Sequence, residues 1–235
     1  MRFFRFFNLK SLCDVARLGI ATAAIVAVLA VGSKASAVAI TIFNTGVDAL
    51  KNPLGDGLVD PHYNLIASDD VAFPGPNALV VNSAPVPLGW LGSSISSKWI
   101  APRADQSVTG GNALGSYIYR TTFDLTGTNP ATASLSGNWA TDNIGVVFLN
   151  GVYAGVTNLA GPSVYTAFNI NSGFSAGVNT LDFLVVNNGT SANPTGLRVE
   201  ISGSVNIPEP ATAVLASLAM LGLCAAGFAR ARSRA

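Results

Sequence analysis

The chain has 235 residues, of which 49% are hydrophobic and only 11% charged, with a formal net charge of +1. Two strongly apolar, basic ends dominate those figures. Residues 38–207 carry ten acids against five bases, a net charge of −5, and this mildly acidic stretch without a basic patch excludes a nucleic-acid partner. The two cysteines, Cys13 and Cys224, both lie in the ends, so the middle has no disulfide framework and no cysteine-based metal or nucleophile site.

The N-terminus opens with Arg2, Arg5, Lys10 and Arg17, followed by an apolar run over residues 18–31 and then Ala35-Ser36-Ala37. Charged region, apolar region and small-x-small site in that order predict a secretory signal peptide over residues 1–37, cut after Ala37 by signal peptidase. A permanent N-terminal membrane helix is the alternative, but the uninterrupted apolar run is short for spanning.

Residues 38–207 have the length of one domain. They show no long helical period, only short apolar or alternating runs separated by Gly, Asn, Pro, Ser and Thr, the spacing of an all-β sandwich or barrel. The expected strands are residues 39–43, 63–67, 78–82, 98–100, 117–125, 135–139, 144–149, 152–156, 164–170, 180–187 and 197–205. Tyr117, Tyr119, Thr121, Phe123 and Leu125 alternate along one face. Asn150-Gly151 between two β-type runs is a strong hairpin signal, because both turn positions tolerate positive φ. Leu197, Val199 and Ile201 alternate with Arg198 and Glu200, the pattern of a half-buried strand. Residues 83–115 read as long loops with short strand pieces.

Trp139-Ala-Thr-Asp142-Asn143, Val147-Phe-Leu-Asn150-Gly151, the run from Gly177 to Phe183 and Gly196-Leu-Arg-Val199 together resemble the late strands of galactose-binding-like jelly rolls. The resemblance covers about residues 116–205. It implies a two-sheet antiparallel β-sandwich, often a carbohydrate-binding or accessory module, and says nothing about a particular sugar.

The chain ends in Pro208-Glu209-Pro210, an uncharged apolar run over residues 211–229, and Arg230, Arg232 and Arg234 within the basic end, residues 230–235. A 19-residue helix would span ~28 Å, close to the bilayer hydrocarbon, and the arginines place the C-terminus in the cytoplasm. A buried core helix is the other reading, and the Arg-x-Arg-x-Arg terminus argues against it. Motif, span and basic end in this order resemble the PEP-CTERM sorting tail of bacterial secreted proteins. The same tail is also known as an ice-binding-protein C-terminal segment, a label that implies no ice binding. The resemblance implies recognition by an exosortase-type membrane protease, removal of the tail and release towards the extracellular polymer matrix.

Chemistry is harder to place. His62 is the only histidine, with no nucleophile-elbow motif beside it, so neither a Ser-His-Asp triad nor a zinc site is expected. Nothing selects a carboxylate pair for glycoside hydrolysis, and most aspartates fall where Asx turns form. Loop oxygens from Asp48, Asp56 and Asp60, with Glu200 on the last strand, are calcium candidates, although their spacing matches no EF-hand. Trp90 and Trp99, in the loop-rich region, are the candidate sugar-stacking residues, because an indole offers a flat amphipathic face. The sequence therefore favours a non-enzymatic exported module binding extracellular polysaccharide. A purely structural matrix protein and a carbohydrate-active hydrolase are the alternatives.

Overall fold

The computed structural model describes residues 36–84, 86–107 and 111–208, together with residues 218, 221 and 222. The described part of the signal segment is limited to Ser36 and Ala37. Ala35, Glu209, Pro210, Arg230, Arg232, Arg234 and all but three residues of the expected span over 211–229 lie outside the described residues. Leu218, Leu221 and Gly222 are helical, and among the described residues no helix is long and apolar enough to cross a membrane.

Eleven strands follow in chain order: β1 (Ser36–Ala39), β2 (Val59–Ser68), β3 (Asn77–Val80), β4 (Ile100–Ala101), β5 (Gly115–Asp124), β6 (Asn129–Asp142), β7 (Ile144–Leu149), β8 (Val152–Asn158), β9 (Thr166–Ile170), β10 (Val178–Asn187) and β11 (Gly196–Ile207). A single 3-10 turn, Gly161–Ser163, interrupts them among the described residues. All pairings are antiparallel, and the hydrogen-bonded order is β8-β7-β10-β5-β2-β3-β4-β11-β6-β9, with β1 also pairing along β11. The short β3 and β4 form the fold line. One arm, β8-β7-β10-β5-β2, packs face to face on the other, β11-β6-β9, and makes an all-β antiparallel sandwich.

Period-two alternation explains which side chains meet in the middle. Tyr117, Tyr119 and Phe123 of β5 and Leu181, Phe183 and Val185 of β10 are buried against Leu135 and Trp139 of β6 and Leu197 and Val199 of β11. Trp139 and Phe183 bridge the arms with ring centroids 5.6 Å apart. The expected hairpin forms at Asn150 and Gly151, with φ of 52° and 78°, and Asn150 Oδ1 accepts from the Thr180 backbone N–H at 3.0 Å.

The first expected strand differs in detail. Residues 36–39 form β1, and the chain then leaves the regular ladder while still tracking β11. Ile40 N–H bonds to the Gly203 carbonyl (2.9 Å), Thr45 N–H to the Val199 carbonyl (3.0 Å), and Asn44 Oδ1 accepts from Ile201 N–H (2.7 Å). Side-chain groups of Asn44 and Thr45 thus serve β11 where a strand would. Ala37 stands in β1 opposite Asn206, exposed, and Pro208 is exposed after β11.

Candidate functional site

The two arms treat their outward faces differently. On the β11-β6-β9 arm, the loop over residues 81–99 folds across the sheet and buries a second apolar cluster of Val81, Trp90, Trp99, Ala101 and Ala140. Trp90 and Trp99 are only 8% and 2% exposed, their centroids 4.3 Å apart. Trp90 Nε1 donates to Asp142 Oδ2 and Trp99 Nε1 to the Leu91 carbonyl, both at 2.8 Å. Gly196 makes room for the Trp90 ring, since a Cβ there would lie 2.8 Å from the indole. These two tryptophans, the sugar-stacking candidates of the sequence, are taken up by packing, and their ring faces are not presented to solvent. Burial pushes the Asp142 carboxyl up, against the opposing hydrogen bond from Trp90.

Beneath the same loop sits Arg198, 2% exposed although its place in the β11 alternation points it outwards. Its Nε donates to Ser97 Oγ (2.8 Å), another nitrogen to the Gly92 carbonyl, and its guanidinium lies 5.2 Å over the Tyr165 ring. Two residues on, Glu200 receives on Oε1 the hydroxyls of Ser97 (2.7 Å), Ser96 (3.0 Å), Tyr165 (3.1 Å) and Ser94 (3.4 Å), with Arg198 3.7 Å away. Oε2 takes none of these contacts. Partial burial works to raise the Glu200 carboxyl, but the bonds from Ser97, Ser96 and Tyr165 and the Arg198 charge outweigh it, holding the group below the usual glutamate range.

Where the loop stops, this face opens into a cleft of about 510 Å³, lined on its polar side by Asn44, Ser136, Asn138, Glu200 and Ser202, with exposed Ala167 beside them and Phe168, buried in the inner core, behind. The register explains the grouping. Glu200 lies opposite Asn138, which lies opposite Ala167, and Ser202 lies opposite Ser136, so β11 and β6 present polar groups in rows with Ala167 of β9 beside them. Asn138 and Ser136 are exposed. A concave surface of this volume with converging polar groups and a perturbed carboxylate is where a ligand site is first sought.

The other arm's outward face carries Ile118, Leu184 and Val146 in register, with Phe148 beside Asp182. Arg120 holds Asp182 with two hydrogen bonds of 2.6 and 2.7 Å. Tyr153, 52% exposed, meets Phe148 edge-on at 6.2 Å.

The calcium candidates do not converge. Asp48 caps its own loop, Oδ1 accepting from Leu50 and Asn52 N–H at 2.8 Å each. Asp56 accepts from the Ser83 N–H (2.7 Å), the Ser83 hydroxyl and Lys98 Nζ (3.1 Å), and these hydrogen bonds pull its carboxyl down to about 2. Asp60 is buried and accepts from the N–H groups of Gly46 (2.6 Å), His62 (2.8 Å) and Tyr63 (3.1 Å), while burial raises its carboxyl. Among the described residues no three His, Cys, Asp or Glu side chains come together. His62 stacks on Phe43 at 3.6 Å. Sequence reasoning missed Ser136, Asn138 and Ser202. Only the cross-strand register, which no local pattern reveals, would have found them.

No protein-family profile matches the chain, and no curated protein matches it in sequence. Solved structures similar to it include a mutant of a family 29 carbohydrate-binding module, at 10% identity and a TM-score of 0.36, covering 72% of this chain and 92% of that one. Another family 29 module mutant, complexed with mannohexaose, has 11% identity and a TM-score of 0.30, covering 55% and 89%. A GH26-CBM35 β-(1,4)-mannanase of Podospora anserina has 17% identity and a TM-score of 0.28, covering 66% and 29%. Likeness at this level carries no argument about ligand or activity.

Proposed function

We propose that this protein is an exported, non-catalytic module that binds extracellular polysaccharide through the cleft on the β11-β6-β9 arm. The observation that carries the reading is the cleft itself, an open trough whose Ser, Asn and Glu groups stand in rows suited to a line of sugar hydroxyls. Ala167, exposed beside them, offers the apolar contact that sugar C–H groups need. Glycoside hydrolysis needs two carboxylates flanking the bond, and Glu200 is the one acid in the lining, which favours binding over turnover. The resemblance of residues 116–205 to galactose-binding-like jelly rolls agrees with this reading, as does the sorting tail, which would deliver the domain to the matrix where such polymers are found. Calcium remains compatible as a structural ion only, because the carboxylates suggested for it are spread over separate turns.

The testing experiment is a polysaccharide retention screen on the full-length protein, with calcium and with chelator. Saturable binding that Asn138→Ala and Ser202→Ala weaken supports the cleft. A folded protein that no polymer retains would refute it. The structural matrix reading would then gain, favoured by the apolar outward face of Ile118, Leu184, Val146 and Phe148. The sorting tail has a separate check: Glu209→Ala should leave a larger, membrane-retained product if an exosortase-type protease reads this motif, and an unchanged product in the same compartment would refute that route.

A further inference from the structure

The charge in the cleft bears on which polysaccharide it takes. Every hydrogen bond described for Glu200 falls on Oε1, which four hydroxyls share with the Arg198 guanidinium 3.7 Å away, leaving Oε2 of this cleft-lining residue without such a partner. The lining contains no lysine, arginine or histidine. The nearest cation, Arg198, is 2% exposed and spends its donors on Ser97 and Gly92, so it cannot reach a ligand's acidic group. Apart from Glu200, residues 38–207 carry nine acids against five bases, a further net charge of −4.

We infer that the cleft selects a polymer bearing primary amines, an N-deacetylated amino-sugar chain, with Glu200 Oε2 accepting from the ligand ammonium; this rests on reading the cleft as a polysaccharide site. The discrimination follows from three cases. A uronate or sulfated chain would bring its negative charge against an ionised carboxylate with no cation to receive it. A sugar hydroxyl at Oε2 makes a bond assisted by the carboxylate charge but brings no charge to balance it. An ammonium makes the same kind of bond and adds an ion pair to it, and the acidic surface draws the cationic chain in. The hydroxyls on Oε1 keep the carboxylate ionised in mildly acidic medium, where the sugar amines are also charged.

The test compares three probes on the full-length protein solubilised in detergent: partially deacetylated poly-N-acetylglucosamine, the fully acetylated polymer, and a polyuronate. The expected order is deacetylated over acetylated by roughly fivefold, the scale of a partly exposed ion pair, with no retention by the polyuronate. Glu200→Gln should erase the preference while keeping an acceptor for Ser96, Ser97 and Tyr165. Asp105→Asn, the same charge change in a half-buried loop outside the cleft, should leave the preference intact. Because Glu200 also ties down its loop, Asn138→Lys provides a second handle. It leaves that network untouched and places a cation opposite Glu200, and it should weaken the deacetylated polymer and admit the polyuronate. Equal binding of acetylated and deacetylated polymer, unchanged by Glu200→Gln, overturns the amine selection and leaves the cleft a neutral-sugar site. Retention by none of the three, together with no binder in the wider screen, overturns both this inference and the reading it rests on.

Discussion

The two arms of the sandwich each set an Arg–carboxylate pair on the outward face, and the pairs have opposite surroundings. Under the loop of residues 81–99 the arginine is the buried partner, Arg198 at 2% and Glu200 at 28% exposed, while on the other arm the aspartate is, Arg120 at 38% and Asp182 at 11%. Alternation along a strand decides which side of the sheet a residue faces. It does not decide whether that side meets water. On one arm a loop has made a second interior of the outer face, and the cleft is the part of that face the loop leaves open. The same strand chemistry thus yields structure beneath the loop and a site at its edge.

The largest effect expected from this contrast is at the tryptophans. Trp99→Ala empties the centre of the second cluster and should cost about 4 kcal/mol in chemical denaturation, the scale of a buried Trp truncation. Polymer binding per folded molecule should persist in Trp99→Ala, since the ring serves packing. A variant that keeps its stability but loses binding would instead restore the indole as a ligand contact.

Next comes the buried pair. Arg198→Ala leaves Ser97 Oγ and the Gly92 carbonyl without their donor and Glu200 without its counter-charge, and should cost about 3 kcal/mol. The hydroxyls that remain on Oε1 keep the loss at the lower end. Its counterpart, Arg120→Ala, leaves Asp182, 11% exposed, without its bidentate partner, but water can enter the space of the 38% exposed arginine, and about 2 kcal/mol is expected. Comparable losses in the two variants would mean that the loop does not seal the Arg198 face in solution.

Much of the framework was legible in the sequence because the inward positions are large and regular. Tyr117, Tyr119 and Phe123 alternate cleanly, and they are buried in β5. The Asn150-Gly151 turn joins β7 to β8. The strand ends were less legible. β6 begins at Asn129 and β11 runs to Ile207, through Ser, Gly and Asn residues whose strand conformation comes from pairing with each other and not from propensity. Arg198 looked like a solvent-facing residue because a loop distant in sequence covers it. Trp90 and Trp99 looked like a platform for the same reason, since a loop rich in Ser, Gly and Pro carries no local sign that it folds back on its own sheet. The cleft was illegible for a further reason. Its parts come from β6, β9 and β11, and only their register makes them neighbours.

The smallest expected effect concerns Asp56, which ties the loop's beginning to its end through Ser83 and Lys98. Its carboxyl is held down to about 2, first by the Ser83 hydroxyl and N–H and then by Lys98. A folded-state value below the unfolded one means that the folded state releases this proton more readily. The contribution is therefore fully present above pH about 4 and is lost as the pH falls towards about 2. Because the side chain is partly exposed, solvent screening keeps the stabilisation below about 1 kcal/mol. Asp56→Asn should accordingly lower the neutral plateau by less than about 1 kcal/mol, leave stability near pH 2 unchanged, and so flatten the acid limb of a stability–pH profile. If the loop over residues 81–99 needs this tie to stay down, the same variant should also raise hydrogen exchange at the Trp90 and Trp99 indoles. Unchanged exchange would show that the apolar cluster and the Arg198 network hold the loop without it.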